Sequence, residues 1–190
     1  KTRLRRQIEG AFLFLDGDLL VRGSLAPVFA MQSDVAAARN HSEKTLEKQI
    51  WLEDRKVLHS LGWGITRENY VNGGVIYYRD TPGAHKFGEL WHRLWRESSA
   101  RLSVYRDQPA LNVALQSDDL DFSLLPSKYN AQIVMNPSSY RDAAIWHFYS
   151  SVGSDEITNF DVLVEEMLSS NSLNFENLRR SIVSKYPWKN

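Results

Sequence analysis

Short apolar runs alternate along the chain with segments whose apolar residues recur at helical spacing. Ala11-Phe12-Leu13-Phe14-Leu15 is a continuous apolar run stopped by Asp16-Gly17-Asp18. It predicts a fully buried strand ending at a turn, with the carboxylates at its C-terminal edge. Ser42 precedes Leu46, Ile50, Val57, Leu58 and Leu61, and Gly62 follows as a C-cap, so 43–61 reads as an amphipathic helix. Val71-Asn72-Gly73-Gly74-Val75-Ile76-Tyr77-Tyr78 reads as a strand whose glycine pair marks a bulge or a close approach to the backbone. Phe87, Leu90, Trp91, Leu94 and Trp95 form the stripe of a helix ending near Ser98, its tryptophans read as core rather than as a sugar platform.

Asp107 is placed to cap a helix running through Gln116, with Pro109 in its first turn where a missing amide does no harm. Phe122 to Leu125 and Ala144 to Phe148 read as strands. Phe160, Leu163, Val164 and Met167 mark a late helix, and another short one is expected near 175–185. Strands and helices alternate without repeats or a linker, which predicts one α/β domain over 1–190 with a mostly parallel sheet.

Composition narrows the class. With 190 residues, 43% hydrophobic and 24% charged, the chain reads as a folded, water-soluble domain. Its 23 basic and 23 acidic residues cancel, so no overall field draws it to nucleic acid or an anionic membrane, and any anionic ligand must be bound locally. The absence of cysteine excludes disulfides, thiolate metal sites and cysteine nucleophiles. No stretch of about 18 apolar residues predicts a membrane span. The opening KTRLRRQ lacks the apolar core of a signal peptide, and a start at Lys1 without methionine suggests a fragment whose anchor, if any, lies outside the chain.

Several residues are candidates for chemistry. Asp16 and Asp18, one residue apart, project to the same side of an extended chain and are able to share a hard cation, or they form a polar turn. With 12 aspartates in the chain, about 0.8 such pairs arise by chance. Asp119 and Asp121 make a second pair, read as a solvated turn. His147, inside the apolar run Ile145-Trp146-His147-Phe148, is either a hydrogen-bonded core histidine or a metal ligand with Asp16 and Asp18. Asp107-Gln108 offers a carboxylate and an amide at a helix start, or simply a cap. Asn72 with Gly73 and Gly74 presents an amide and bare backbone to a hydroxyl-rich ligand, or a bulge. Asn40-His41-Ser42 is a lone sequon, too short to assign a compartment.

Taken in order, Thr2-Arg3-Leu4, the run from Phe12 to Leu25, Val71-Asn-Gly-Gly-Val75, Asp107-Gln-Pro-Ala-Leu-Asn112 and Trp146-His-Phe148 resemble one family. These motifs, spanning residues 2 to 148, are similar to those of GT-A nucleotide-sugar glycosyltransferases, nearest to glycosyltransferase family eight. The resemblance implies a GT-A, Rossmann-like fold: a mostly parallel mixed sheet flanked by helices, here a C-terminal portion lacking part of the N-terminal nucleotide-binding half. It implies that Asp16, Asp18 and His147 hold Mn²⁺, with Mg²⁺ the alternative, on the donor diphosphate. Arg3, Gly17, Asn72, Gly73 and Gly74 would meet donor or acceptor, and Asp107 and Gln108 would lie at an exposed helix start beneath the anomeric carbon as the catalytic pair.

The implied reaction is hexosyltransferase-like: a sugar moves from a nucleoside diphosphate sugar, UDP-linked, to a hydroxyl on a glycan, glycoconjugate or other acceptor, with retention. Two departures stand out, since the histidine lacks the family's downstream glycine and lysine pattern and the opening nucleotide-binding strands are missing. They leave open a non-catalytic sugar- or nucleotide-binding module of degenerate GT-A type. The compartment follows the source: cytoplasm in a bacterium, Golgi lumen in a eukaryote with an external anchor.

Overall fold

The computed structural model describes residues 1–40, 45–132 and 143–147. In chain order the strands are β1 (Phe12–Leu15), β2 (Leu19–Val21), β3 (Val35–Arg39), β4 (Val71–Tyr78), β5 (Phe122–Leu125), β6 (Ala131–Gln132) and β7 (Ile145–His147). The helices are α1 (Ala26–Phe29), α2 (Leu46–Gln49), α3 (Leu52–Leu61), α4 (Pro82–Leu102) and α5 (Gln108–Ala114). They fall into two compact units, one of Lys1–Leu15 and Leu25–Pro126, the other of Asp16–Ser24 and Ser127–Asn190. Phe148 and the helices expected at 160–167 and 175–185 lie outside the described residues.

The larger unit is built on β4, all eight residues of which are buried. It lies within a sheet of order β1-β4-β3-β5. β4 runs antiparallel to both β1 and β3, whereas β3 and β5 are parallel. The sheet is therefore mixed, as expected, but the parallel majority is not found among the described strands. A helix between two strands does not by itself dictate a parallel return, and β4 comes back against β3 despite α2 and α3 between them. Val35, Ile76, Tyr78, Phe87, Trp91, Leu111 and Leu115 form the centre of a core in which α4 and α5 cover the sheet. Phe87 and Trp91 of the anticipated stripe are buried, and the tryptophan is core.

Three expectations are corrected. β1 is half-buried rather than fully buried, because it is the edge of its sheet. Its Phe12 and Phe14 pack against the core, and each ring also meets a cation: Arg5 lies 4.9 Å from the Phe12 centroid and Lys1 Nζ 5.4 Å from that of Phe14. The helix expected over 43–61 is broken at Ile50 and Trp51, both extended. The Gln49 carbonyl at the break accepts from Asn40 Nδ2 at 2.6 Å, and the Gln49 side chain accepts from Tyr70 N at 2.8 Å, so tertiary bonds replace helical ones. Gly62 does close α3, in the left-handed region at φ 67°. α4 continues to Leu102, past Ser98. It opens on Thr81, whose hydroxyl accepts from Ala84 N.

The glycine pair of β4 sits in an irregularity of register. Ala37 pairs with Ile76 but Arg39 pairs with Val71, so two steps on β3 face five on β4. A side chain at Gly73 would begin 3.3 Å from both Leu111 Cδ2 and Lys1 Nζ, so close approach explains that glycine. Arg5 is buried too, donating to the Gly10 and Arg79 carbonyls at 2.8 and 3.0 Å and to that of Ile8.

In the smaller unit β7 lies between β2 and β6, antiparallel to the first and parallel to the second. Trp146 is fully buried, with the Arg22 guanidinium 3.8 Å from its ring centroid. Arg22 N and Gly23 N both donate to the Ala144 carbonyl. No helix among the described residues is long and apolar enough to cross a membrane.

Candidate functional site

The smaller unit brings Asp16, Asp18 and His147 together. One ligand atom from each lies within 4.8 Å of the other two. β2 and β7 set this up: Leu19, which follows Asp18, is in register with His147. The imidazole is buried and Asp18 partly exposed, and His147 Nε2 faces Asp18 Oδ1 at 3.4 Å. On the other side of the ring, Nδ1 is 2.7 Å from Asn130 Oδ1, an acceptor, so Nδ1 is the donor. Nε2 then turns its lone pair toward a carboxylate oxygen. In this arrangement a protonated ring donates to Asp18, and a neutral one is able to share a cation with it.

This donor set fits a divalent cation. Bonds of about 2.1 Å hold two opposite ligand atoms about 4.2 Å apart, so closing from 4.8 Å takes a few tenths of an ångström from each side chain. Two carboxylates with one imidazole suit Mn²⁺ better than Mg²⁺, which prefers oxygen alone. Asn130 is the outer partner that fixes the ring, a role metal-binding histidines ordinarily require. Gly17, between the aspartates, is exposed.

The larger unit gathers Asn72, Gly73, Gly74, Asp107 and Gln108. Asn72 Oδ1 accepts from Gly74 N at 2.8 Å across the β4 irregularity. Gln108 Oε1 accepts from Gly73 N at 3.3 Å and Asn72 Nδ2 at 3.4 Å. Asp107 precedes α5 but makes no side-chain cap; its carboxylate pairs with Lys1 Nζ at 3.0 Å, and its carbonyl accepts from Trp91 Nε1 at 3.0 Å. Both Asp107 and Gln108 are half-buried, less open than the exposed helix start expected of them. Asn112, one α5 turn on, bonds both the N–H and the C=O of Val71, which ties α5 to β4.

Arg3 lies elsewhere in that unit. Its Nε donates to His92 Nε2 at 3.0 Å, so His92 Nδ1 donates to Thr2 Oγ1 at 2.8 Å. Desolvation, then the charges of Arg3, Arg96 and Arg6, hold His92 below the usual imidazole range. His92 also lines a groove of about 840 Å³ with Arg6, Lys86, Arg93 and Arg96. Of the second aspartate pair, Asp119 is exposed and 3.4 Å from Lys86, the expected solvated turn. Asn40 of the sequon is fully buried.

No family profile and no curated protein matches the sequence. Solved structures do match. The chain superposes on the galactosyltransferase LgtC, solved with donor and acceptor sugar analogues, with a TM-score of 0.55 at 17% identity, covering 95% of this chain and 69% of that one. The glycosyltransferase GlyE of Streptococcus pneumoniae TIGR4 gives 0.53 at 18%, covering 99% of this chain but 45% of that one. The bifunctional glycosyltransferase WbbM gives 0.51 at 12%, covering 95% and 35%. The fold is that of the GT-A glycosyltransferases.

The chain thus spans less than half of GlyE and WbbM, and at these identities the likeness concerns the fold. Its polar cluster also holds residues that sequence reasoning passed over. Asp54 of α3 is fully buried and accepts from Arg106 Nε at 2.6 Å, Tyr70 OH at 3.0 Å and Gln108 Nε2 at 3.4 Å. Burial pushes its carboxyl above the usual range, against the lowering effect of Arg106. Burial, with Asp54 beside it, pushes the Tyr70 phenol well up. A signal was present: Asp54 falls on the helical stripe of Ile50, Val57, Leu58 and Leu61, where an acid has no solvent to face.

Proposed function

We propose that this chain is a metal-dependent glycosyltransferase, moving a sugar from a UDP-linked nucleoside diphosphate donor to a hydroxyl acceptor with retention. The observation that carries the reading is the Asp16, Asp18 and His147 group in a GT-A fold. These side chains would hold Mn²⁺, with Mg²⁺ the alternative. When bound, the ion supplies Lewis-acid stabilisation of the departing diphosphate.

The remaining roles belong to the chain's own residues. Gly17 leaves the backbone between the two aspartates uncrowded. Asn72, Gly73 and Gly74 offer an amide and bare backbone to sugar hydroxyls, and Arg3 offers a guanidinium to the donor. Asp107 and Gln108 act at the anomeric carbon, Asp107 as a fixed negative charge and Gln108 as an oriented amide. Groups of this kind matter through differential stabilisation of the transition state.

The test is calorimetry of UDP with Mn²⁺ and with chelator, followed by assay of donor hydrolysis and sugar transfer. Mn²⁺-dependent binding with turnover is expected. Equal affinity with and without metal would overturn the metal's role, and tight binding without turnover would identify a non-catalytic nucleotide-sugar module instead.

A further inference from the structure

Asp54 is the one fully buried carboxylate among the described residues, and what it touches is specific. Arg106 and Gln108, the residues on either side of Asp107, both donate to it. The residue between them carries its carboxylate to Lys1 instead. A three-residue turn is thus drawn onto a single carboxylate by its outer members. Tyr70, entering β4, supplies the third donor.

The bond pattern also gives the Gln108 amide a direction. A carboxylate only accepts, so the face of the amide turned to Asp54 must be its NH₂. Gly73 N–H and Asn72 Nδ2 only donate, so the face turned to them must be the carbonyl oxygen. Flipping the amide would set acceptor against acceptor on one side and donor against donor on the other. An apolar residue on this stripe of α3 would pack without the desolvation penalty of a buried charge, so packing does not account for an aspartate here.

We propose that Asp54 is a positioning residue, fixing the amide sense of Gln108 and the turn that carries Asp107. Its kinetic consequence rests on the glycosyltransferase reading above; its structural consequence does not. Asp54→Asn keeps the shape and exchanges one acceptor for a donor. It should lower kcat by on the order of ten- to a hundredfold while KM for the donor changes less than about twofold. In a Gln108→Ala background the same substitution should have almost no further effect, because the two act as one unit.

The Gln108 side-chain amide resonances of the ¹⁵N-labelled protein, compared between wild type and Asp54→Asn, give a readout independent of activity, and they should shift. Should Asp54→Asn fail to fold, Arg106→Gln at its half-exposed position loosens the same carboxylate and must shift those resonances and lower kcat. Unmoved resonances, or a kcat loss that simply multiplies that of Gln108→Ala, overturn the proposal. If wild type neither transfers sugar nor hydrolyses donor, the glycosyltransferase reading falls and the resonances alone decide Asp54: a shift supports its positioning role and no shift ends it.

Discussion

The two polar clusters satisfy their hydrogen bonds in different ways. Around Asp54 and Gln108 donors from Arg106, Tyr70, Asn72 and the Gly73 amide each meet an acceptor. Around His147 the ring is held by Asn130, Nε2 faces Asp18 Oδ1 at 3.4 Å, and ligand atoms of Asp16, Asp18 and His147 lie within 4.8 Å of one another. A balanced cluster is a frame, complete within the protein. The second gathers two carboxylates and an imidazole, a donor set suited to a cation. The contrast is the basis for proposing orientation for the first cluster and cation binding for the second.

The largest effect should come from the Asp16, Asp18 and His147 group. Asp16→Ala or Asp18→Ala is expected to abolish Mn²⁺-supported UDP binding in calorimetry, and retention of that binding would break the comparison at once. Next come Asp107→Asn and Gln108→Ala, expected to lower kcat by on the order of ten- to a thousandfold with donor affinity nearly unchanged, as steady-state kinetics would show. Asn130→Ala should weaken Mn²⁺ by about ten- to a hundredfold, because the ring loses its fixed tautomer. Normal Mn²⁺ affinity in that variant would mean the ring needs no such support.

A smaller effect is read in pH. Burial raises the Asp54 carboxyl in the folded state, so in the window just above the ordinary aspartate range the native protein holds a proton that the unfolded chain has released. Stability from this group therefore falls as pH rises through that window. Urea denaturation should show the advantage of wild type over Asp54→Asn shrinking from acid toward neutral pH. An advantage that grows instead would give the buried carboxylate the opposite sign. Smallest of all, Asp119→Ala removes an exposed pair with Lys86 and should change stability by less than about 1 kcal/mol, with Mn²⁺ binding untouched.

Legibility from sequence follows the range of the interactions involved. β4, α4 and β5 were readable because their periodicity is local, and Gly62 because a left-handed cap nearly always needs glycine. The grouping of Asp16, Asp18 and His147 came from a resemblance joining distant motifs, since no spacing rule connects residues 16 and 147. The half-buried edge position of β1 was not readable, because an apolar run looks the same in a central strand and in an edge strand that packs on the core. The break after Gln49 was hidden for a similar reason: Asn40 and Tyr70 create it from outside the segment. Asp54 drew no reading from the sequence, although its place on the apolar stripe marks a buried acid.

Arg5 and Gly88 carry a consequence for how this sequence is free to drift. A methyl group at position 88 would stand 2.9 Å from Arg5 Cβ, so α4 leaves room for the arginine stem only because residue 88 has no side chain. The guanidinium in turn holds the Gly10 and Arg79 carbonyls. Neither position is neutral on its own: a methyl at 88 forces the arginine stem to shift, and losing Arg5 removes the donor to those carbonyls. The two sites form one epistatic pair, separated by most of a hundred residues in the chain.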